Sequence, residues 1–296
     1  MSRAGTLGLS EVGVEATAGL RAILEHQLGD VQAVRYVYED PISWSVISEG
    51  GWDFLGAPAA DDGADATLRD LVEIARVWGW AIAPTPYIPS LIAKRWSNEA
   101  REHEAPVTFA VRTRTSGETA AVPFGRYPGA LLLGDVQRAG LTSGRLSDLS
   151  VDEYAPSLLI GEGVATSTWA PEASYEMRVV WASEAVGAAA RMLVTGVEYT
   201  KVREQFGQPI GRFQALKHQM ADALALVELA ETAVILASQD RERAAAATRY
   251  AFDASLKVAE MAIQVHGGIG FTWEMGLHMY VRHISALREL AAGLPA

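Results

Sequence analysis

Apolar residues recur at three- and four-residue spacing along most of the chain, a period that predicts helices rather than strands. After Pro171 the pattern barely breaks. Residues 175–202 read as one long helix, 213 to about 243 as a second, 248–265 as a third and 273 to about 290 as the last. Four long helices joined by short loops predict an antiparallel bundle over residues 172–296. Helical spacing also covers 8–30 and 31–39. It covers 68–80 behind an N-cap at Thr67, and 90–101 after the breakers Pro84, Pro86 and Pro89. With a glycine- and acid-rich loop over 50–65, these make an N-terminal helical domain of residues 1–103. Between the two, over 104–171, short apolar runs at 107–111, 130–133 and 157–160 are bounded by Gly, Pro, Ser and Asp, and predict a small β unit. The fold class expected is mainly α with a small β middle domain.

Composition narrows the function classes. The chain has 296 residues, 49% of them hydrophobic, enough for a sizeable core in two or three subdomains. A formal net charge of -11 argues against nucleic acid and anionic membranes as partners, because both need a basic face. With no cysteine, disulfides, thiolate metal sites and cysteine nucleophiles are excluded. The N-terminus lacks a basic start followed by an apolar core, and the most apolar helices carry Glu184, Arg191, Glu228 and Glu231. The expectation is therefore a cytoplasmic protein with no signal peptide and no membrane span. The six histidines show no metal spacing, and Tyr36, Tyr38, Trp44 and Trp52 read as core or interface aromatics.

Two segments sixty residues apart carry the chemistry. The first runs Arg203-Glu204-Gln205-Phe206-Gly207-Gln208-Pro209-Ile210-Gly211-Arg212-Phe213-Gln214. The second runs Gln264-Val265-His266-Gly267-Gly268-Ile269-Gly270-Phe271-Thr272. Arg203 ends one predicted helix, and Phe213 and Gln214 open the next. A guanidinium facing a helix N-terminus suits a diphosphate, since both attract anions. Gln264 and the Gly267-Gly268 backbone add amide contacts and close approach. Taken singly, each element is more often structural: glycine ends roughly a third to a half of helices as a plain C-cap.

Together, in this order, the segments resemble the C-terminal bundle of acyl-CoA dehydrogenases, with its Arg-x-x-Phe-Gly, Phe/His-Gln and Gln-x-x-Gly-Gly-x-Gly patterns. The resemblance is strong over about 172–290, moderate over the N-terminal helices and weak across 104–171. It implies that Arg203, Gln205, Phe213, Gln214, Gln264, His266, Gly267 and Gly268 contact the diphosphate and adenosine end of an FAD held by a neighbouring subunit. In the family a glutamate removes the α-proton of the thioester while the flavin takes the β-hydride. An ungapped register on Arg203 puts Met177 at the first position that carries this base, with Glu176 rotated by ~100°. At the second position, near the C-terminus, stand Leu290-Ala291-Ala292, with Glu289 out of register. The Trp-x-Thr/Ser stretch that covers the flavin ring is also altered: Thr166-Ser167-Thr168-Trp169 has the residue types in another order, and Trp169 reads as a structural aromatic.

The resemblance therefore implies a subunit of a hetero-oligomeric acyl-CoA dehydrogenase with no catalytic residue of its own, similar to the short subunit of actinobacterial steroid-degrading α2β2 enzymes. It would pair with a longer catalytic sister that binds the acyl-CoA, with an electron-transfer flavoprotein as an allowed acceptor. Two alternatives stand beside it: a self-sufficient dehydrogenase using Glu176 or Glu289 as a displaced base, and a flavin-free helical scaffold. In the subunit reading, wide apolar faces at Val179, Val180, Val186, Met192, Leu193 and Val197 are expected to need a partner to cover them.

Overall fold

A computed structural model describes residues 8–29, 42–109, 111, 119–124, 127, 131–133, 158, 161–164 and 171–294. Helix α1 (Glu11–Leu28) opens on Ser10, whose hydroxyl accepts from the Gly13 amide. The stretch expected as loop holds a short α2 (Trp44–Glu49) just before it and two 3-10 turns within it (Trp52–Phe54 and Ala59–Asp61). Helix α3 (Leu68–Gly79) begins where Thr67 predicts. Its hydroxyl accepts from Asp70 N at 3.2 Å and the Asp70 carboxylate accepts from Thr67 N at 2.8 Å. Such a reciprocal cap contributes about 1 kcal/mol. The same carboxylate accepts from Ser10 N at 2.9 Å and Ser10 Oγ at 2.8 Å, so one buried aspartate joins the starts of α1 and α3. Burial alone would raise its pKa. The hydrogen bonds from Thr67 and Ser10 outweigh that and hold it below the usual carboxylate range.

Helix α4 (Tyr87–Trp96) starts three residues earlier than expected and is followed by the single turn α5 (Asn98–Arg101). Pro89 lies in the first turn of α4, where its missing N–H would have had no helical partner anyway. The helix expected over 31–39 and the aromatics Tyr36 and Tyr38 lie outside the described residues. Trp44 donates its ring N–H to Glu104 O at 2.6 Å, and both Trp44 and Trp52 pack on the main core.

The β region departs most from the sequence reading. Strands β1 (Val107–Phe109) and β3 (Leu131–Leu133) fall within the apolar runs, and they pair in parallel. Of the strand expected over 157–160 only Leu158 lies among the described residues; the described strand here is β4 (Gly161–Val164), antiparallel to an unanticipated β2 (Thr119–Val122). Gly161-Glu162-Gly163-Val164 has little strand propensity, so pairing with the neighbour makes it a strand.

Helix α6 (Pro171–Val202) is the axis of the molecule, surrounded by α7 (Gln214–Gln239), α8 (Arg241–His266), α9 (Leu277–Gly293) and α3. The boundary between α7 and α8 sits at Asp240 rather than near residue 245. Its carboxylate accepts from Glu242 N and Arg243 N and so starts a new helix. Helix α9 begins at Leu277 rather than 273, because Gly276 turns the chain at φ 65°.

Helices α3 and α6 cross at two glycines. A Cβ on Gly79 would lie 1.9 Å from Glu184 O, and one on Gly187 2.0 Å from Arg76 O, so the crossing needs both. Ser183 Oγ adds a 2.6 Å bond to Val72 O. Charges are paired across the same layer. Arg76 bonds Glu73 within α3 and reaches Glu231 of α7 at 3.4 Å, and Arg21 of α1 meets Glu73 at 3.4 Å. Glu184 of α6 accepts from or donates to His283 Nε2 of α9 at 2.9 Å, both wholly buried. One continuous apolar core runs from Leu20, Leu71 and Trp78 through Trp181 to Val258 and Leu287. It takes in Val179, Val180, Val186, Met192 and Leu193, all buried, with Val197 packed against it. The faces expected to await a partner are thus covered by the chain's own helices.

Candidate functional site

The two motif segments meet at one end of the bundle. Helix α6 stops at Val202, and Arg203 N still bonds Tyr199 O at 2.9 Å. The chain then makes a two-residue hairpin, β5 (Glu204–Gln205) against β6 (Gln208–Pro209). Its turn residues, Phe206 at φ 54° and Gly207 at φ 78°, both take the left-handed conformation of a type I′ turn. Ile210 N donates to Arg203 O at 2.7 Å and closes the base of the hairpin. A 3-10 turn (Ile210–Arg212) delivers Phe213, which precedes α7 in an extended conformation and provides no side-chain cap. The first amides of α7 therefore have no side-chain acceptor at the cap, which leaves them for an anion or water.

Across from the hairpin, α8 ends at His266 on Gly267, at φ 62° and ψ -143°, whose N–H bonds Gln264 O. A 3-10 turn (Gly267–Phe271) follows. The glycines here divide by role. A Cβ on Gly207, Gly267 or Gly268 would meet nothing within 4 Å, whereas one on Gly211 would meet Thr200 O at 3.0 Å and one on Gly270 Ile263 O at 2.8 Å. Three glycines thus face open space and two allow packing.

The joint between the halves is a stack that the sequence reading missed. The rings of Tyr199 on α6 and His266 on α8 lie 4.4 Å apart at 25°. His266 Nδ1 sits 2.7 Å from Ala262 O, and a carbonyl only accepts, so Nδ1 carries the proton. Nothing in the one-dimensional pattern marks Tyr199, since its partner is sixty-seven positions away.

Of the residues expected to touch a nucleotide, Arg203, Gln205, Gln214, Gln264, Gly267 and Gly268 are exposed at this end, and Phe213 is half-buried. Arg203 makes no ion pair among the described residues, while Gln205 Nε2 bonds only the neighbouring Glu204 O at 2.7 Å. His266 is buried beneath the turn, and its Nε2 has no hydrogen-bond partner among the described residues. It is placed to position the glycine turn rather than to face outward.

The two displaced carboxylates sit in different surroundings. Glu176, buried near the start of α6, lies 2.9 Å from Arg95 Nε and accepts from Trp96 Nε1 at 2.8 Å. Burial pushes its carboxyl up, with Arg95 and Trp96 pulling the other way. Met177 beside it is buried in the core. Glu289 lies exposed on the outer face of α9. The stretch 166–169, with Trp169, is outside the described residues. Among the described residues no group of three or more His, Asp or Glu could hold a metal ion, and no helix is long and apolar enough to cross a membrane.

Residues 168–293 match the acyl-CoA dehydrogenase C-terminal domain. The chain is 29% identical over 287 residues to acyl-CoA dehydrogenase IpdE2 of Mycolicibacterium smegmatis, a match covering 92% of this chain and 87% of that protein. The C-terminal half of the chain thus carries an acyl-CoA dehydrogenase domain, and most of its length is similar to an acyl-CoA dehydrogenase. Acyl-CoA dehydrogenase FadE34 of Mycobacterium tuberculosis is also 29% identical, over 313 residues, but this chain spans only 43% of its length. Among solved structures, a variant of the Tcur3481-Tcur3483 steroid ACAD superposes with a TM-score of 0.75 at 22% identity, over 94% of this chain and 92% of that one. The ChsE4-ChsE5 complex from Mycobacterium tuberculosis gives 0.74 at 17% identity, over 96% and 94%. At such identities these two establish the acyl-CoA dehydrogenase-like fold.

Proposed function

We propose that this chain is the base-less subunit of a hetero-oligomeric, FAD-dependent acyl-CoA dehydrogenase. In this reading it lends the end of its bundle to FAD held mainly by a longer catalytic sister, in an assembly of α2β2 type. FAD supplies the hydride acceptor for α,β-desaturation of the thioester. Arg203 and the uncapped start of α7 at Gln214 hold the diphosphate, because a fixed fork of donors and a helix N-terminus both favour negative charge. Gln205, Phe213, Gln264 and the Gly267-Gly268 backbone line the adenosine side, and His266 fixes that turn from below. The domain division at 103 and 171 belongs to the same reading.

One observation carries it. Arg203 and Gln214 are exposed at the bundle end, with no ion pair to Arg203 among the described residues, while Glu176, the carboxylate nearest the catalytic position, is committed to Arg95 and Trp96. An intact anion clasp without a free base describes a donor of contacts. Two structural relatives are a steroid ACAD and a two-protein complex, which supports a steroid-derived acyl-CoA and a partner chain. An electron-transfer flavoprotein is a fitting acceptor.

The test is Arg203→Ala in the co-expressed complex. Losing one charged hydrogen-bond partner of a diphosphate costs about 1.5–3 kcal/mol, so FAD should bind about 10- to 100-fold more weakly while the assembly persists. Unchanged FAD content would overturn the reading. So would an isolated chain that purifies yellow and bleaches with acyl-CoA.

A further inference from the structure

Between α2 and α3 the chain closes on itself. Ala57 N donates to Phe54 O at 3.0 Å, Asp65 N to Ala57 O at 3.0 Å and Ala66 N to Leu55 O at 2.9 Å, so residues 54–66 form a compact loop whose ends lie together. Its conformation is specific. A Cβ on Gly63 would lie 2.0 Å from Ala57 O, and Asp62 and Asp65 take left-handed φ values of 61° and 51° that aspartate tolerates. Yet the loop buries little apolar surface, since Ala57 and Ala66 carry its only fully buried side chains. With so little apolar area beneath it, polar ties decide whether it stays down.

Those ties come from α4 and α5. Lys94 pairs with Asp53 just before the loop at 2.5 Å, and Arg101 reaches Asp61 on its outer side at 3.0 Å. Asp61 is exposed, so the second pair contributes little. Arg95 does two things at once. Its Nη1 donates to Gly56 O at 3.0 Å and Ala66 O at 2.7 Å, near the two ends of the loop, and its Nε lies 2.9 Å from the Glu176 carboxylate on α6. Glu176 is its one ion-pair partner among the described residues, and the two side chains are 22% and 8% exposed. A guanidinium so far from bulk water keeps its place on two neutral carbonyls only while a carboxylate compensates it.

We propose that Glu176 is a positioning residue for this loop: acting through Arg95, it latches residues 54–66 onto α3 and α4. Without its counter-charge Arg95 has a short path to water past the exposed Trp96 ring, which lies 5.8 Å from the guanidinium carbon. Taking that path drops both loop carbonyls together. Gly56 sits where an added Cβ would meet Leu71 Cδ1 of α3 at 3.3 Å and Leu91 O of α4 at 3.6 Å, so a released loop uncovers the joint between those helices. The inference is independent of the flavin reading, because none of these residues lies at the 203–214 end of the bundle.

The experiment is hydrogen exchange of the full-length chain, read at the Asp65 and Ala66 amides that close the loop. Glu176→Gln should speed both about 30-fold. Arg95→Gln should do the same, and the double variant should be little faster than either single one, because the two residues act as one unit. Arg95→Lys keeps a charge for Glu176 but loses the fork that reaches the carbonyls, so it too should release the loop. It carries the test alone if Glu176→Gln does not fold. Trp96→Phe removes the other hydrogen bond to Glu176, at 2.8 Å, and should leave the loop amides within about twofold of wild type. Loop amides unchanged in Glu176→Gln or in Arg95→Lys overturn the proposal. So do single effects that multiply in the double variant, or a Trp96→Phe chain that releases the loop as strongly, which would mark general destabilisation rather than a latch.

Discussion

The crossing of α3 over α6 and the far end of the bundle are both built on glycine, and they use it in opposite ways. At the crossing, Gly79 and Gly187 let two backbones approach so closely that a methyl group on either would strike a carbonyl oxygen. Nearby charges are paired, as in Arg76 with Glu73 and Glu231. At the end, Gly207, Gly267 and Gly268 face open space, Arg203 makes no ion pair among the described residues, and aromatic rings stand in solvent. The first region is finished by folding of the chain alone. The second, in the proposed function, is finished only by a nucleotide and a neighbour.

The largest effect that would break this contrast is at the crossing. Gly187→Ala should cost about 3 kcal/mol, because backbone faces backbone and no flexible side chain can yield. Urea unfolding measures it, and a loss under 1 kcal/mol would mean the helices can slide apart cheaply. Next is Glu176→Gln, which leaves Arg95 without its counter-charge at a partly exposed position and should cost about 2 kcal/mol. In the assembled enzyme the same change should leave kcat within about twofold. A fall of the roughly 10²- to 10⁴-fold that loss of a general base brings would make Glu176 the base after all.

The Asp70 joint gives a smaller effect with a definite sign. Its folded pKa lies below the unfolded value, so the ionised form is the one the native state favours. That stability is present above the unfolded pKa of about 3.9 and drains away as pH falls through the lower folded value. Asp70→Asn should therefore cost about 1 kcal/mol at pH 7, and the gap in urea midpoints should close as the buffer is taken below about pH 3. A gap that stays constant over that range would rule out ionisation as its origin.

At the open end the expected stability changes are smallest and inverted. Phe206→Asn should raise the stability of the isolated chain by about 0.5 kcal/mol, because asparagine tolerates the left-handed turn. Gly268→Ala, where φ is not positive and space is open, should leave the melt unchanged and reduce only FAD retention. A destabilised Gly268→Ala chain would show that this turn, too, is packed from within.

Much of this layout is legible in one dimension. The Thr67 cap, the long α6, the bundle and the acyl-CoA dehydrogenase likeness follow from local periodicity, capping chemistry and a contiguous motif. Each depends on residues within a few positions of one another. The misplaced features have the opposite character. Gly161-Glu162-Gly163-Val164 does not look like a strand, yet it is one, because pairing with 119–122 outranks propensity. The Ala-rich run after Asp240 hid a cap that only the turn geometry reveals.

The candidate site divides the same way. Sequence alone singled out residues whose chemistry suits an anion, and the resemblance implied that neither of its two base positions carries a glutamate here. Tertiary structure decided that Glu176 belongs to Arg95, that His266 lies under Tyr199, and that the apolar faces of α6 are covered by this chain's own helices. The physical reason is reach: caps and helical periods act across one turn of chain, whereas burial, ion pairing and stacking depend on neighbours brought in from sixty to a hundred residues away.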